Sequence, residues 1–415
     1  MKKDILFLCQ FFYPEHNSSA TLPSDTARYF AKQGFKVGVL CGYPKEYFDG
    51  NEVPYEEDID GISIHRIPYV QSSRAGKLGR LINYFSFTAG AIFSTKILKD
   101  YRCIICYSNP PILPAAAVHA VKRFGSKLVL VVYDTYPEVA YASDSIKKNS
   151  AIDKVMRRIN HKMYQIVDTV IVISEEMRDF LLSNRPELAG KRVAVIHNWA
   201  HEENDEGADT ANEHPKECLV NQAVESDDDF CVSYIGNMGI CQDMDTMVKT
   251  AEITASNPHI RFKLIGHGNK KEKIKQYINQ QGLNNTKINE YMTGTALRRE
   301  LENSGCCVVS LTEGLKGMCA PSKYYTYLFA GKPVISVMEK DSYISKEIVK
   351  EEIGFAIENG DSAGFERAIR RLAEEPDLAK AMGERAKALY QRKYRYDIAM
   401  AKYKDVIVSV LEDSD

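Results

Sequence analysis

The chain has 415 residues, 44% hydrophobic and 27% charged, with a formal net charge of −2. That length exceeds one ordinary core, so two domains are expected, and the near-neutral balance argues against a nucleic-acid binder, which needs a strong basic excess. No apolar run reaches membrane-spanning length.

The opening "MKKDILFLCQFF" sets two lysines before apolar residues, as a secretory leader does. Its apolar part is short, however, and "YPEHN" follows where a small-residue cleavage site would stand, so the segment reads as a first buried strand. Tyr13 to Asp25, "YPEHNSSATLPSD", reads as an unusually small and polar loop after that strand. Within it Asn17, Ser18, Ser19 and Ala20 would let backbone N–H groups approach a ligand; the plainer reading is a surface loop. Apolar runs then alternate with helical patterns: "KVGVLCGYP", "CIICYSN", "PAAAVHAVKRFG", "KLVLVVYD", "AIDKVMRRINHKMYQIV", "DTVIVIS", "EEMRDFLLSN" and "RVAVIHNW". Near-continuous apolar strands separated by amphipathic helices indicate a parallel sheet covered on both faces. Residues 72–99 combine Arg74, Lys77 and Arg80 with Leu78, Leu81, Ile82, Phe85 and Phe87. That mixture suits a helix lying on an anionic membrane surface, although a core-packing helix with a solvated basic end has the same composition.

The acidic, apolar-poor stretch 201–229 breaks the alternation as a linker or surface excursion does. It separates an N-terminal domain over 1–200 from a second α/β domain over 230–385. A helical region over 386–415 follows and is expected to pack back on the first domain. Three strand-to-helix loops of the second domain stand out. "YIGNMGICQD" carries Gly236 and Gly239, whose turn leads to a helix start with free amides for phosphate oxygens. "LIGHGNKKEKI" carries Gly266, His267 and Gly268. "CAPSKYYTYLFAGKPVISV" reads as loop, helix, turn and strand, with Ser322 as N-cap and Gly331 as the stop. Lys323 then sits in the first turn, where a cation is disfavoured unless an anion is near. A diphosphate held by helix-start amides and one ammonium would resolve that conflict; a solvent-facing lysine is the plain alternative. The ten cysteines lack metal-ligand spacing, and reduced, mostly buried thiols in a cytosolic protein account for them.

These readings give an α/β fold of two Rossmann-like doubly wound domains facing a cleft, with ligands at the carboxyl ends of the strands. Through "FFYPEHNSSATLPSDTARYFAKQGFKVGVLCGYPKEYFDG", "YSNPPILPAAAVHAV", "VVYDTYPEVA", "VIHNWA", "YIGNMG", "FKLIGHGNKKEKI", "APSKYYTYLFAGKPVI" and "MGERAKALYQRKY", nearly the whole chain resembles glycosyltransferase family 4 of the GT-B fold. Within that family it is similar to the branch of bacterial O-antigen, capsule and colanic-acid sugar transferases. The resemblance implies a nucleoside diphosphate sugar donor on the C-terminal domain, a glycan or lipid-linked sugar acceptor on the N-terminal one, and retention of configuration without a metal or cofactor. It implies Gly236, Asn237, Ser322 and Lys323 near the diphosphate, with Gly268 and Thr326 also on the donor side. Asn17 to Ala20 fall where the family often has a Gly-Gly pair, and Asp134 and Glu138 of "YDTYPE" would orient an acceptor hydroxyl or the sugar. Lys323 and Asp134 are thus the candidate catalytic residues, and a cytoplasmic protein, peripheral on the inner face of the plasma membrane, is the expected setting.

Two departures qualify the resemblance. Many relatives carry glutamates spaced E-x7-E before the "AxGxPV" turn, and those positions here are Met318 and Thr326, with Glu313 a few residues upstream. The family's Arg and Lys after the "GN" loop are also missing from "GICQDMD", which raises the weight on Lys323. A nucleotide-sugar 2-epimerase of the same fold, or a catalytically silent sugar-nucleotide-binding scaffold, are the competing readings.

Overall fold

Runs such as Ile5 to Leu8 and Leu128 to Val132 have no polar interruption, so the strands they form can be buried on both faces; the computed structural model builds two such sheets. The structure describes residues 2–44, 48, 50, 52–72, 77–94, 96–200 and 229–412. The linker expected over 201–229 lies outside them but for Asp229, as does Arg74. The chain divides into two units, one of Met1–Asn198, Gly317–Ala320 and Asp397–Asp415, the other of Trp199–Lys316 and Pro321–Tyr396.

Among the described residues the first unit holds eight strands: β1 (Lys3–Leu8), β2 (Val37–Gly42), β3 (Glu56–Ile59), β4 (Ile62–Ile67), β5 (Tyr101–Tyr107), β6 (Lys127–Val132), β7 (Thr169–Val172) and β8 (Arg192–Val195). Their order is β3-β4-β2-β1-β5-β6-β7-β8. All neighbours run parallel except β3 and β4, a hairpin that the sequence reading passed over. Its turn is Asp60-Gly61, both at positive φ (54° and 78°), the dipeptide that a two-residue hairpin favours. The strand order reverses between β1 and β5, where Leu8 pairs with Cys106, and the loops after these two strands flank the switch point. Helices of the N-terminal part of this unit are α1 (Ser18–Lys32), α2 (Lys77–Phe93), α3 (Pro114–Phe124), α4 (Glu138–Ala142), α5 (Ala151–Ile166) and α6 (Glu175–Asn184). Phe87 and Ala91 of α2, Ala116 and Ala120 of α3, and Met163 of α5 share one buried cluster with Leu6, Leu8, Ile104 and Leu130.

Two expectations for this unit change. The polar run after β1 does not stay a loop to Asp25, because α1 begins at Ser18 and takes Pro23 into its second turn. The hydroxyls of Ser24 and Thr26 donate back to the carbonyls of Ala20 and Leu22 at 2.7 and 2.8 Å, so these polar residues satisfy themselves on the buried face beside Ala27 and Phe30. Phe87, which the sequence grouped with a membrane-facing stripe, is buried in the core, whereas Ile82 and Phe85 are exposed.

The second unit has β9 (Phe230–Ile235), β10 (Ile260–Ile265), β11 (Thr286–Asn289), β12 (Cys306–Ser310), β13 (Val334–Val337) and β14 (Gly354–Ile357). They form an all-parallel sheet in the order β11-β10-β9-β12-β13-β14, reversing between β9 and β12. Its helices are α7 (Met244–Ile253), α8 (Lys271–Gln281), α9 (Gly294–Glu302), α10 (Lys323–Phe329), α11 (Tyr343–Lys350), α12 (Ser362–Glu374) and α13 (Pro376–Leu389). The edge strand β11 gave no apolar run because three of the four residues of "TKIN" are polar. A π-helical turn at Tyr390–Tyr394 follows α13.

The last helix, α14 (Tyr396–Glu412), belongs to the first unit from Asp397 onward. It buries Met400, Tyr403, Val406, Ile407 and Val410 and is held by Arg192 to Asp405 at 2.6 Å and Lys404 to Gln33 at 2.8 Å. No described helix is long and apolar enough to cross a membrane. The described cysteines are free, and all but Cys241 and Cys319 are buried.

Candidate functional site

In the second unit, three strand ends converge at the point where the strand order reverses. β9 runs into Gly236-Asn237, β10 into Gly266-His267-Gly268, and the long loop after β12 leads to α10. The first two are stitched by short bonds: the Gly236 N–H donates to Ile265 O (2.9 Å), Met238 N–H to His267 O (2.6 Å) and Lys270 N–H to Met238 O (2.9 Å). Glycine is required here by space as well as by φ. A Cβ on Gly266, at φ +145°, would lie 1.9 Å from the Gly236 carbonyl oxygen, and one on Gly268, at φ +138°, 2.4 Å from that of Met238. The Tyr234 hydroxyl donates to Asn237 O at 2.8 Å and fixes the exposed Asn237 beside it.

Lys323 is delivered to this loop pair by an aromatic anchor. Tyr327, one turn further along α10, is fully buried; its hydroxyl accepts the Ile235 N–H at 2.9 Å and donates to the Ile235 carbonyl at 3.0 Å. Tyr324 donates to Glu347 of α11 at 2.7 Å. With α10 pinned to the last residue of β9, the Lys323 stem comes within 3.8 Å of where a Cβ on Gly236 would be. Its ammonium lies 5.6 Å from the centroid of Tyr291, the half-buried lysine having no ion pair among the described residues. Tyr291 also packs edge-on against His267, with centroids 5.5 Å apart. Burial holds the His267 imidazole below its usual pKa, aided by the Lys271 and Lys323 ammoniums and opposed by Glu290. A half-buried, unpaired cation beside glycine-lined backbone and a neutral histidine is a setting that favours an anion.

Two details differ from the sequence reading. Ser322 is not an N-cap: its own backbone is already helical (φ −63°, ψ −25°), and its side chain makes no capping bond. The start of α7 is not open to phosphate either. The Asp243 carboxylate accepts from Thr246 N–H (3.0 Å) and Thr246 Oγ1 (2.6 Å), so an anion already occupies that end of the dipole. Gly331 does stop α10 with φ +65°. Thr326 stands half-buried on α10, one turn after Lys323.

The other candidates lie in the first unit, at the carboxyl edge of its sheet. Asp134 follows β6, and its N–H donates to the Ser108 hydroxyl at 3.4 Å, which also accepts from Tyr133 N–H at 3.1 Å. Although Asp134 keeps some solvent contact, the protein packed around it pushes its carboxyl from 3.8 up to about 6. The next residue, Thr135, donates its N–H to the carbonyl of Met318 at 2.8 Å, so one of the two positions where relatives carry glutamate sits beside Asp134 in the chain's own packing. Glu138 opens α4 and is held by Arg185 at 2.7 Å, both side chains largely buried. Asn17 precedes α1, its carbonyl accepting from Ala20 and Thr21 N–H at 2.9 Å each; Ser18, Ser19 and the buried Ala20 form the first turn. Tyr234, Tyr327 and Tyr291 had no place in the sequence reading. The signal for Tyr234 and Tyr327 was a tyrosine two residues before Gly236 and another one helical turn after Lys323; Tyr291 gave none.

Comparison with known proteins agrees with the fold and the family resemblance. Residues 20–199 match the family described as Glycosyl transferase 4-like domain, and residues 216–389 match Glycosyl transferases group 1. A probable glycosyltransferase, WbjE of Pseudomonas aeruginosa, is 24% identical over 328 residues, 78% of this chain and 79% of that protein. Among solved structures, Anabaena HepE in complex with UDP-glucose superposes with a TM-score of 0.65 at 15% identity over 99% of this chain and 100% of that one. WaaG, a glycosyltransferase involved in lipopolysaccharide biosynthesis, does so with 0.67 at 12% identity over 97% and 99%. Such identities speak for the fold alone, and the fold agrees with the family match along the chain. The chain belongs to the two-domain glycosyltransferases of family 4, with the GT-B fold and a group 1 C-terminal domain.

Proposed function

We propose that the chain transfers a hexosyl unit from a nucleoside diphosphate sugar to an acceptor hydroxyl, with retention of configuration and without a metal, in assembly of a bacterial surface polysaccharide. The observation that carries this reading is the meeting of the Gly236 and Gly266–Gly268 turns with the unpaired ammonium of Lys323. In such a transfer the C–O bond between sugar and diphosphate breaks. The diphosphate takes the electron pair, and the acceptor oxygen forms the new C–O bond as its proton departs. Charge grows on the leaving phosphate, and Lys323 is the group in reach to stabilise it. Asp134, with a carboxyl raised to about 6, is suited to hold or accept a proton near neutrality. HepE was solved with UDP-glucose, which supports uridine nucleotides as the first donors to assay. A glycan or lipid-linked sugar acceptor, with contact through residues 72–99 at the inner face of the plasma membrane, completes the proposal.

The test is a thermal-shift series with UDP and UDP-glucose, followed by turnover of labelled donors. A ligand that binds only the native state raises the melting temperature. Wild type should shift with diphosphate, and Lys323→Ala should lose about a hundredfold or more in turnover while keeping its own melting temperature. Near-normal turnover in Lys323→Ala would sink the role given to that residue.

A further inference from the structure

A groove of about 510 Å³ runs along the first unit between α3 and α5, far larger than the roughly 30 Å³ that one water takes up. It is lined by Ala115, Val118, His119, Lys122 and Arg123 of α3 and by Ile159 and Lys162 of α5. The α3 positions follow the i, i+3, i+4, i+7, i+8 spacing of a single helix face, so the lining is one continuous stripe. Its floor is apolar and its rim cationic. His119, Lys122, Arg123 and Lys162 are exposed, and none has a hydrogen bond or ion pair among the described residues. The dipole of α3 explains Lys122 and Arg123, which fall in its last turn, but not His119 or Lys162. Across α3 and α5 there are six lysines and arginines against one acid, Asp153, which is buried and paired with Arg157. The chain as a whole carries −2, so the basic excess is local.

The surroundings identify the kind of anion. α2 packs beside α3 over the same core, and among its described side chains the large exposed ones are apolar: Phe93 is 85% exposed, Phe85 47% and Ile82 39%. Val155, one turn before Ile159 on α5, is 45% exposed. A small soluble phosphate ester needs the cations but not a row of bare aromatic and aliphatic side chains next to them. A phosphate-bearing bilayer needs both, since headgroups meet the cations while apolar side chains enter the acyl boundary.

We propose that the α3–α5 groove is the headgroup site by which this unit docks on an anionic lipid bilayer, with the exposed edge of α2 as its apolar insertion. The inference rests on the peripheral-membrane reading given above and names its anchoring surface.

The full-length chain would be floated with vesicles of phosphatidylcholine alone and of phosphatidylcholine with an equal part of phosphatidylglycerol, without sugar donor. Wild type should float with the anionic vesicles only. Lys122→Gln with Lys162→Gln should lower the bound fraction about tenfold or more, and Phe93→Ser with Phe85→Ser should lower it as well. Lys380→Gln with Lys402→Gln, a matched loss of exposed charge elsewhere, should leave it within about twofold. An unchanged melting temperature and an unchanged shift with UDP confirm that each variant is folded. Flotation lost only on changing the α2 aromatics, or equal on both vesicle types, overturns the groove while leaving membrane contact in place. No flotation of wild type overturns both. Saturable protection by inorganic phosphate without flotation makes the groove a site for a soluble phosphate and overturns the bilayer proposal.

Discussion

At the scale of single residues, Asp134 and Lys323 are placed in opposite ways. Lys323 is only half-buried and rests against the face of Tyr291, a contact worth about 0.5–1 kcal/mol at exposed sites. Asp134 pays for its position instead, since protein around the carboxyl favours the neutral acid. Its folded pKa lies above the unfolded value of 3.8, so the native state binds the extra proton. The contribution to stability is therefore complete below pH about 4 and is lost as pH rises through about 6. Two pKa units amount to about 3 kcal/mol, and partial solvent contact reduces this to about 1–2 kcal/mol. Urea unfolding of Asp134→Asn should show that gain over wild type at pH 7 and none at pH 4, together with a loss of turnover. A variant no more stable than wild type at pH 7 would mean the carboxyl is not strained.

At the scale of elements, the placement of α10 matters more than its own chemistry. With seven residues and no side-chain cap, it is too short to hold an anion by its dipole. What it provides is a rigid arm, and Tyr327 clamps that arm to the end of β9 through both polar groups of Ile235. Tyr327→Phe leaves the Ile235 N–H without its buried acceptor, at a cost of about 1–3 kcal/mol. Because the arm loosens while the ammonium survives, we expect a severalfold rise in the donor KM with a smaller change in kcat. An equal loss in both would point to general unfolding, which the melting temperature would reveal. Other local signals are legible in the sequence. Asp243 followed at the third position by Thr246 is a capping pattern, and Asp60-Gly61 between alternating residues is a hairpin signal. The glycine turns at Gly236 and Gly266–Gly268 were read from sequence because close backbone approach leaves no room for a side chain, a constraint that residue type alone expresses.

At the scale of the whole molecule, the chain's last helix is built into the unit that its first residues form. α14 covers the sheet with Met400, Tyr403, Val406, Ile407 and Val410 buried. Each such side chain contributes about 1.5–3 kcal/mol, so together they match the roughly 5–15 kcal/mol that holds a domain folded. A chain ending at residue 395 should lose cooperative unfolding of the first unit, seen as loss of amide-exchange protection in β1, β5 and β6. Protection retained there would show that α14 is an accessory.

The sequence by itself determined the two α/β units, the strand-to-helix alternation and the glycine turns at the strand ends, because periodicity and the missing Cβ act over a few neighbouring residues. It also carried the family, through motifs spread along nearly the whole chain. Only the tertiary structure decided that Tyr291 lies under Lys323, that Tyr327 sets the reach of α10, that Met318 meets Thr135, and that unpaired cations of α3 and α5 line one groove. Each of these joins residues far apart in the chain, and such contacts are fixed by which strands pair and which helix faces pack.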